Sequence, residues 1–148
     1  MGTALSSHSM SLDGFIAQPD GKAGPLHEWL WAGEHQSRHG DNFKLSEPSR
    51  EWFDGLIDRL GADRRSRARP GACKGGRSEK DVSLMGGDIV GQVLSTGLPD
   101  EIDIDLVPIL LGDGVRLLDG RATAAVELEL ESIVDAPGVT HLSFRIVR

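Results

Sequence analysis

Residues 80–114, KDVSLMGGDIVGQVLSTGLPDEIDIDLVPILLGDG, decide how the chain folds. Val82 to Met85 is a short apolar run stopped by Gly86 and Gly87, after which Ile89, Val90, Val93 and Leu94 recur at helical spacing until Gly97. Ile102, Ile104 and Leu106 then alternate with Glu101, Asp103 and Asp105, the period of a strand with one wet face, and Val107 to Leu111 is wholly apolar. The order is strand, paired glycine, helix, strand and glycine turn. A strand that enters a helix through two glycines brings bare backbone and unpaired N–H groups to one corner, where a phosphate can be held. The same pair also serves as a plain tight turn, and spacing alone does not separate the two.

Outside this unit, residues 3–10 read as a weak strand because Ser6, Ser7, His8 and Ser9 interrupt it. SLDGFIAQPDGKAGPLHEWLW places Asp13-Gly14 at a strand end, then Phe15-Ile16-Ala17, then a loop marked by Pro19, Asp20-Gly21, Gly24 and Pro25. Such a loop can cover a site, with Trp29 or Trp31 anchoring its far end; it can equally be a surface connection. Glu34 to Lys44 is polar and reads as a solvated loop. His35 and His39 are four residues apart, but no matching acidic ligand accompanies them and Gly40 weakens the helix that metal binding would need. Trp52, Phe53, Leu56, Ile57 and Leu60 form a helical stripe between Pro48 and Gly61, read as core packing.

Gly61 to Lys80 has no apolar periodicity and holds seven basic residues against two acidic ones, a local charge of +5 in a chain of net charge −7, which leaves −12 elsewhere. It reads as a basic, disordered linker, with a phosphate-attracting arm as the alternative. An acidic body argues against a general nucleic-acid surface. At the end, Val126, Leu128 and Leu130 alternate with glutamates, Leu142, Phe144 and Ile146 alternate with His141, Ser143 and Arg145, and Asp135-Ala136-Pro137-Gly138 supplies a turn. The pair is an antiparallel hairpin with His141 on its wet face, and Arg145 and Arg148 face the glutamate row. Strands interleaved with helices, ending in a hairpin, imply a mixed α/β sheet.

The 148 residues are expected to form a single domain. No apolar run approaches membrane-spanning length, and the first residues lack the features of a signal peptide. Cys73 stands alone, so a reducing, cytoplasmic setting is expected, without a structural zinc site.

SLDGFIAQPDG with Trp29, and the long block from Lys80 to Gly120, resemble the two signature blocks of the dihydrofolate-reductase-like family, which includes the reductase domain of the bifunctional riboflavin-biosynthesis deaminase-reductase. The resemblance covers residues 1–60 loosely and 80–148 closely. It implies an NADPH-dependent reductase, of the 5-amino-6-(5-phosphoribosylamino)uracil reductase or dihydrofolate reductase type, that delivers hydride to a small heterocyclic or carbonyl substrate. Ile16 and Ala17 would line the nicotinamide face, residues 18–29 would form its lid, and Gly86, Gly87, Asp88 and Ile89 would cradle the pyrophosphate. Asp13, Trp29 and Met85 would lie beside the substrate. Riboflavin-pathway reductases of this family place a glutamate where Met85 stands, which argues against that particular substrate.

The family's middle block, about three strands with a phosphate-contacting motif, is expected to be replaced by residues 61–80. Cofactor affinity is then expected to be weak, and the exposed edge at Val82 to Met85 to invite pairing with a second copy as a homodimer. The alternative is a non-catalytic remnant acting as an interaction or dimerisation module. Glu28 and Glu34 fall near the expected pocket, but no catalytic residue or proton donor is assigned by spacing or resemblance.

Overall fold

The computed structural model describes residues 3–60, 82–84, 99–118 and 125–148. Gly86, Gly87, Asp88, Ile89, Met85, the helix read after the glycines and the basic segment 61–80 lie outside the described residues.

Nine strands and one α-helix follow in the order β1 (Ala4–Ser11), β2 (Phe15–Ala17), a 3-10 helix (Gly24–Trp31), β3 (His35–Ser37), β4 (Gly40–Leu45), α1 (Glu47–Leu60), β5 (Val82–Leu84), β6 (Glu101–Val107), β7 (Val115–Arg116), β8 (Leu128–Ala136) and β9 (Val139–Ile146), among the described residues. Among the described residues five strands make one mixed sheet in the order β5-β1-β6-β9-β8, with β5 at the edge expected of it. Strands β5, β1 and β6 run parallel, and β9 and β8 are antiparallel to their neighbours.

Strand β1, expected to be weak, is eight residues long and pairs on both sides. Its serines are tolerated because they have partners inside: the Ser11 hydroxyl donates to Asp13 at 2.6 Å, and Trp29 Nε1 donates to Ser9 Oγ at 3.2 Å. Residues 34–44, expected to be a solvated loop, instead carry most of the antiparallel ribbon β3-β4, which ends at Leu45. Buried Asp54 on α1 holds it, accepting from the Ser37 hydroxyl at 2.6 Å, while exposed Asp58 on the same helix pairs with Arg38 and His39.

The largest departure from the sequence reading is strand β6. Ile102 and Ile104 pack with Leu117, Leu142, Phe144 and Met10 on one face, as the alternation predicts. Its other face is not wet. Asp103 and Asp105 are buried, as are Ser143 and His141, their cross-strand partners on β9. His141, expected to face water, is 0% exposed. A period of two says that the faces differ, not that either meets solvent. Here α1 covers the polar face, which becomes an internal ladder of hydrogen bonds in which Ser143 Oγ donates to Asp103 and His141 Nδ1 to Asp105.

The C-terminal hairpin forms as read, and Arg145 pairs with Glu129 and Glu131 across it. Arg148 pairs with Asp100 at 2.9 Å rather than with the glutamate row. Pro137 and Gly138 make its two-residue turn, which needs the positive φ of +77° at Gly138. No helix of the described residues is long and apolar enough to cross a membrane.

Candidate functional site

Helix α1 begins where the carbonyl of Ser46 accepts from Arg50 N at 2.8 Å, with Pro48 in the first turn, where its missing N–H is harmless. Its apolar stripe was read as core packing. Trp52, Phe53, Leu56, Ile57 and Leu60 are only half-buried, and of these Phe53 packs against the core cluster. The whole stripe lines a cavity of about 540 Å³, a size suited to a small molecule.

Opposite the helix, the 3-10 segment contributes His27, Trp29, Leu30 and Trp31. Residues 18–29 were expected to act as a lid. Its far end is anchored, with Leu26, Trp29 and Leu30 buried beside Leu45 and Val139, while residues 19–22 are exposed. Phe43 on β4 adds to the wall, where it meets Trp31 at 5.9 Å and Phe53 at 5.4 Å between ring centroids. The sheet contributes Ser7, His8 and Ser9 from β1 and Asp105 from β6.

The sequence-derived site residues divide. Ile16, Ala17 and Trp29 line this cavity together. Asp13 is not among the lining residues. Its carboxylate accepts from the backbone N–H of Leu111 at 3.1 Å and of Gly112 at 2.8 Å, which clamps the Gly-Asp-Gly turn to the end of β1. The Ser11 hydroxyl first, then these two amides, hold its carboxyl at about 2, well below the usual aspartate value. The clamp bears on the site indirectly. Strand β7 follows the turn and pairs with β2, and a Cβ at Gly114 would sit 2.1 Å from the carbonyl oxygen of Ala17. Only glycine allows the turn to lie flat against the strand that carries Ile16 and Ala17. Glu28 and Glu34 are not among the lining residues either.

Sequence reasoning missed the cluster behind the cavity. His141 donates through Nδ1 to Asp105 Oδ1 at 2.6 Å, and its Nε2 lies 2.9 Å from Ser49 Oγ on α1. Trp29 meets the imidazole edge-on, with centroids 5.0 Å apart at 72°, and Trp52 stacks on it at 5.1 Å and 17°. Serine, histidine and aspartate stand in the order of a nucleophilic relay. Ser49, however, is buried and does not line the cavity, so no substrate carbonyl can reach it. The relay pins α1 to the sheet, and of its three members Asp105 alone meets the cavity.

Burial lowers the affinity of His8 and His27 for protons, with the Asp105 charge opposing, so both imidazoles are biased toward the neutral form. Trp52 Nε1 is buried without an acceptor. Among the described residues no group of three or more His, Cys, Asp or Glu side chains is placed to hold a metal ion.

No family model matches the sequence, and no curated protein matches it. Solved structures do. Acinetobacter baumannii RibD is similar over 100% of this chain and 59% of its own, with 12% identity and a TM-score of 0.56. The chain has the fold of the riboflavin-biosynthesis reductases. A putative riboflavin biosynthesis protein from Shewanella sp. PV-4 shares this reductase fold over 99% of both chains, at 19% identity and a TM-score of 0.50. The Saccharomyces cerevisiae riboflavin biosynthesis reductase Rib7 does so over 99% of this chain and 89% of its own, at 12% identity and a TM-score of 0.51. The chain thus spans about three fifths of the RibD it matches. In this reductase fold the cavity lies beside the central parallel strands, bounded by β1, β2 and α1.

Proposed function

We propose that the chain is a nicotinamide-dependent reductase that delivers hydride from NADPH to a small, flat substrate in this cavity. The observation that carries the reading is the position of Ile16 and Ala17. They leave the C-terminal end of parallel strand β1, the region where open α/β sheets bind their ligands, and they line a cavity walled by aromatic rings. The reductase fold supports the same reading by analogy, since one fold hosts many functions.

The nicotinamide end of NADPH fits the described residues. Ile16 and Ala17 offer a flat aliphatic face, and the ring would lie against it with the substrate stacked toward Trp29. Residues 86–89, assigned to the pyrophosphate, lie outside the described residues, and no lysine or arginine among the described residues lines the cavity. The cofactor, when bound, supplies the hydride. This chain's residues orient the two rings and exclude water from between them.

The test is NADPH oxidation, followed by absorbance, with pterin, pyrimidine, carbonyl and cyclic imine acceptors. Turnover with one of these, lowered by Ala17→Trp, which fills the nicotinamide face, supports the assignment. No oxidation with any acceptor and no NADPH binding would leave the non-catalytic interaction module as the reading.

A further inference from the structure

Along the ribbon β3-β4 and its tip, His35, Ser37, Arg38 and His39 each meet a carboxylate of helix α1. His35 Nδ1 lies 3.1 Å from Glu47, the Ser37 hydroxyl donates to Asp54 at 2.6 Å, and His39 Nε2 lies 2.8 Å from Asp58, which Arg38 shares. Glu47, Asp54 and Asp58 fall on one stripe of the helix, and the ribbon docks along it. Behind the seam the ribbon carries a wall of the cavity. Phe43 of β4 lines it and meets the Phe53 ring of α1 at 5.4 Å, while Trp31 Nε1 donates to the Asn42 carbonyl at 3.0 Å.

We propose that this seam is a pH-sensitive clamp on the cavity: protonated His35 and His39 hold the wall that carries Phe43 against α1, and their loss of charge as pH rises lets the wall part. The inference goes beyond the reductase reading and does not depend on it.

The groups along the seam divide by whether they titrate. Arg38 serves Asp58 and approaches Asp54 at 3.9 Å, and Arg50 pairs with Glu47 and reaches Asp54 at 3.5 Å, with Glu51 also acting on it. A guanidinium keeps its charge at every pH in question, whereas imidazoles change theirs between about pH 5 and 8. Glu47 stays ionised across that window, because the hydrogen bond from Arg50 first, and the His35 charge with it, hold its carboxyl below the usual value. Below the window both histidines form full ion pairs. Above it each keeps no more than a neutral hydrogen bond. The pairs differ in depth: the His39 side chain is 21% exposed and that of His35 50%, so water screens His39 less and it contributes more.

Amide hydrogen exchange of the native chain, read residue by residue by NMR between pH 5 and 8 and corrected for intrinsic rates, follows the clamp without any ligand. Relative to the β8-β9 hairpin, protection of residues 35–45 should fall about three- to tenfold across the range, and the amides of Phe43 and Phe53 should follow. His39→Gln keeps a neutral donor and should remove most of the dependence, His35→Gln a smaller part, and the double variant nearly all of it. Neither side chain is buried, so these variants keep the fold.

Asp103 offers a rival cause. It lies on the sheet face that α1 covers, and burial pushes its carboxyl up to about 6, against the hydrogen bond from Ser143 and the charge of Arg59, so a charge also appears beneath the helix as pH rises. Asp103→Asn removes that charge, and the ribbon's dependence should survive in it. Protection of the ribbon that does not fall with rising pH would overturn the proposal, as would a dependence that persists in the double histidine variant or vanishes in Asp103→Asn. A fall confined to residues 35–39 would overturn it too, since the wall at Phe43 would then not move with the clamp.

Discussion

Asp105 and His141 face each other across β6 and β9, with Nδ1 donating to the carboxylate at 2.6 Å, and the imidazole is fully buried between the indoles of Trp29 and Trp52. The pair joins what the fold needs to what the site uses. One end of the imidazole reaches Ser49 and fixes α1, while the other orients the carboxylate that meets the cavity.

His141→Ala should cost about 3 kcal/mol, from the void between two indoles and the loss of partners for Ser49 and Asp105. Urea denaturation at neutral pH measures it. His141→Gln, which retains a donor and an acceptor, should recover part of the loss. A cost below about 1 kcal/mol for the alanine variant would show that α1 is held by its apolar stripe alone.

Asp103 makes a pH-dependent contribution of opposite sign to that of most carboxylates. Burial pushes its carboxyl up to about 6, against the opposing hydrogen bond from Ser143 and the charge of Arg59. The folded chain then keeps this proton to higher pH than the unfolded one, whose aspartates titrate near 3.9, roughly the ordinary value, so stability falls as pH rises between the two. Asp103→Asn should stabilise the protein by about 1–2 kcal/mol above pH ~6 and change little below pH ~4. Thermal melts across that range would show a widening gap; a gap that narrows with rising pH would contradict it.

The Asp13 clamp behaves in the usual way. Its carboxyl is held at about 2 by Ser11 and the amides of Gly112 and Leu111, so its contribution is present above the unfolded value near 4 and lost as pH falls through about 2. Asp13→Ala should lower the Tm at neutral pH, with the deficit shrinking on acidification. The same variant should loosen the β2-β7 pairing and raise amide exchange at Ile16 and Ala17, measured by hydrogen-deuterium exchange.

Much of this was legible in order but not in environment. The Asp13-Gly14 corner, the helix from Glu47 and the C-terminal hairpin follow from glycine, proline and alternation, all local signals. The buried acid face of β6 did not, because Ile-Asp alternation carries no mark of what lies over the acids, and the helix that covers them ends more than forty residues earlier. The Ser49–His141 contact spans 92 positions and has no local signature. One signal was available. Trp52 and Phe53 sit on a helix beside buried Asp54, and a stripe of large side chains on a helix whose other residues are mostly charged has more apolar surface than one small sheet face can cover. The paired glycine that organised the sequence reading falls outside the described residues, so its role rests on the cofactor measurement below.

Titration of the native chain with NADPH, read through the emission of Trp29, Trp31 and Trp52, tests most directly whether this cavity is a nicotinamide site. Since every indole lines it, a bound nicotinamide should quench the emission saturably, with a midpoint below about 1 mM, and Ala17→Trp should abolish the saturation. Emission that stays unchanged through millimolar NADPH, after correction for absorption, would contradict the assignment.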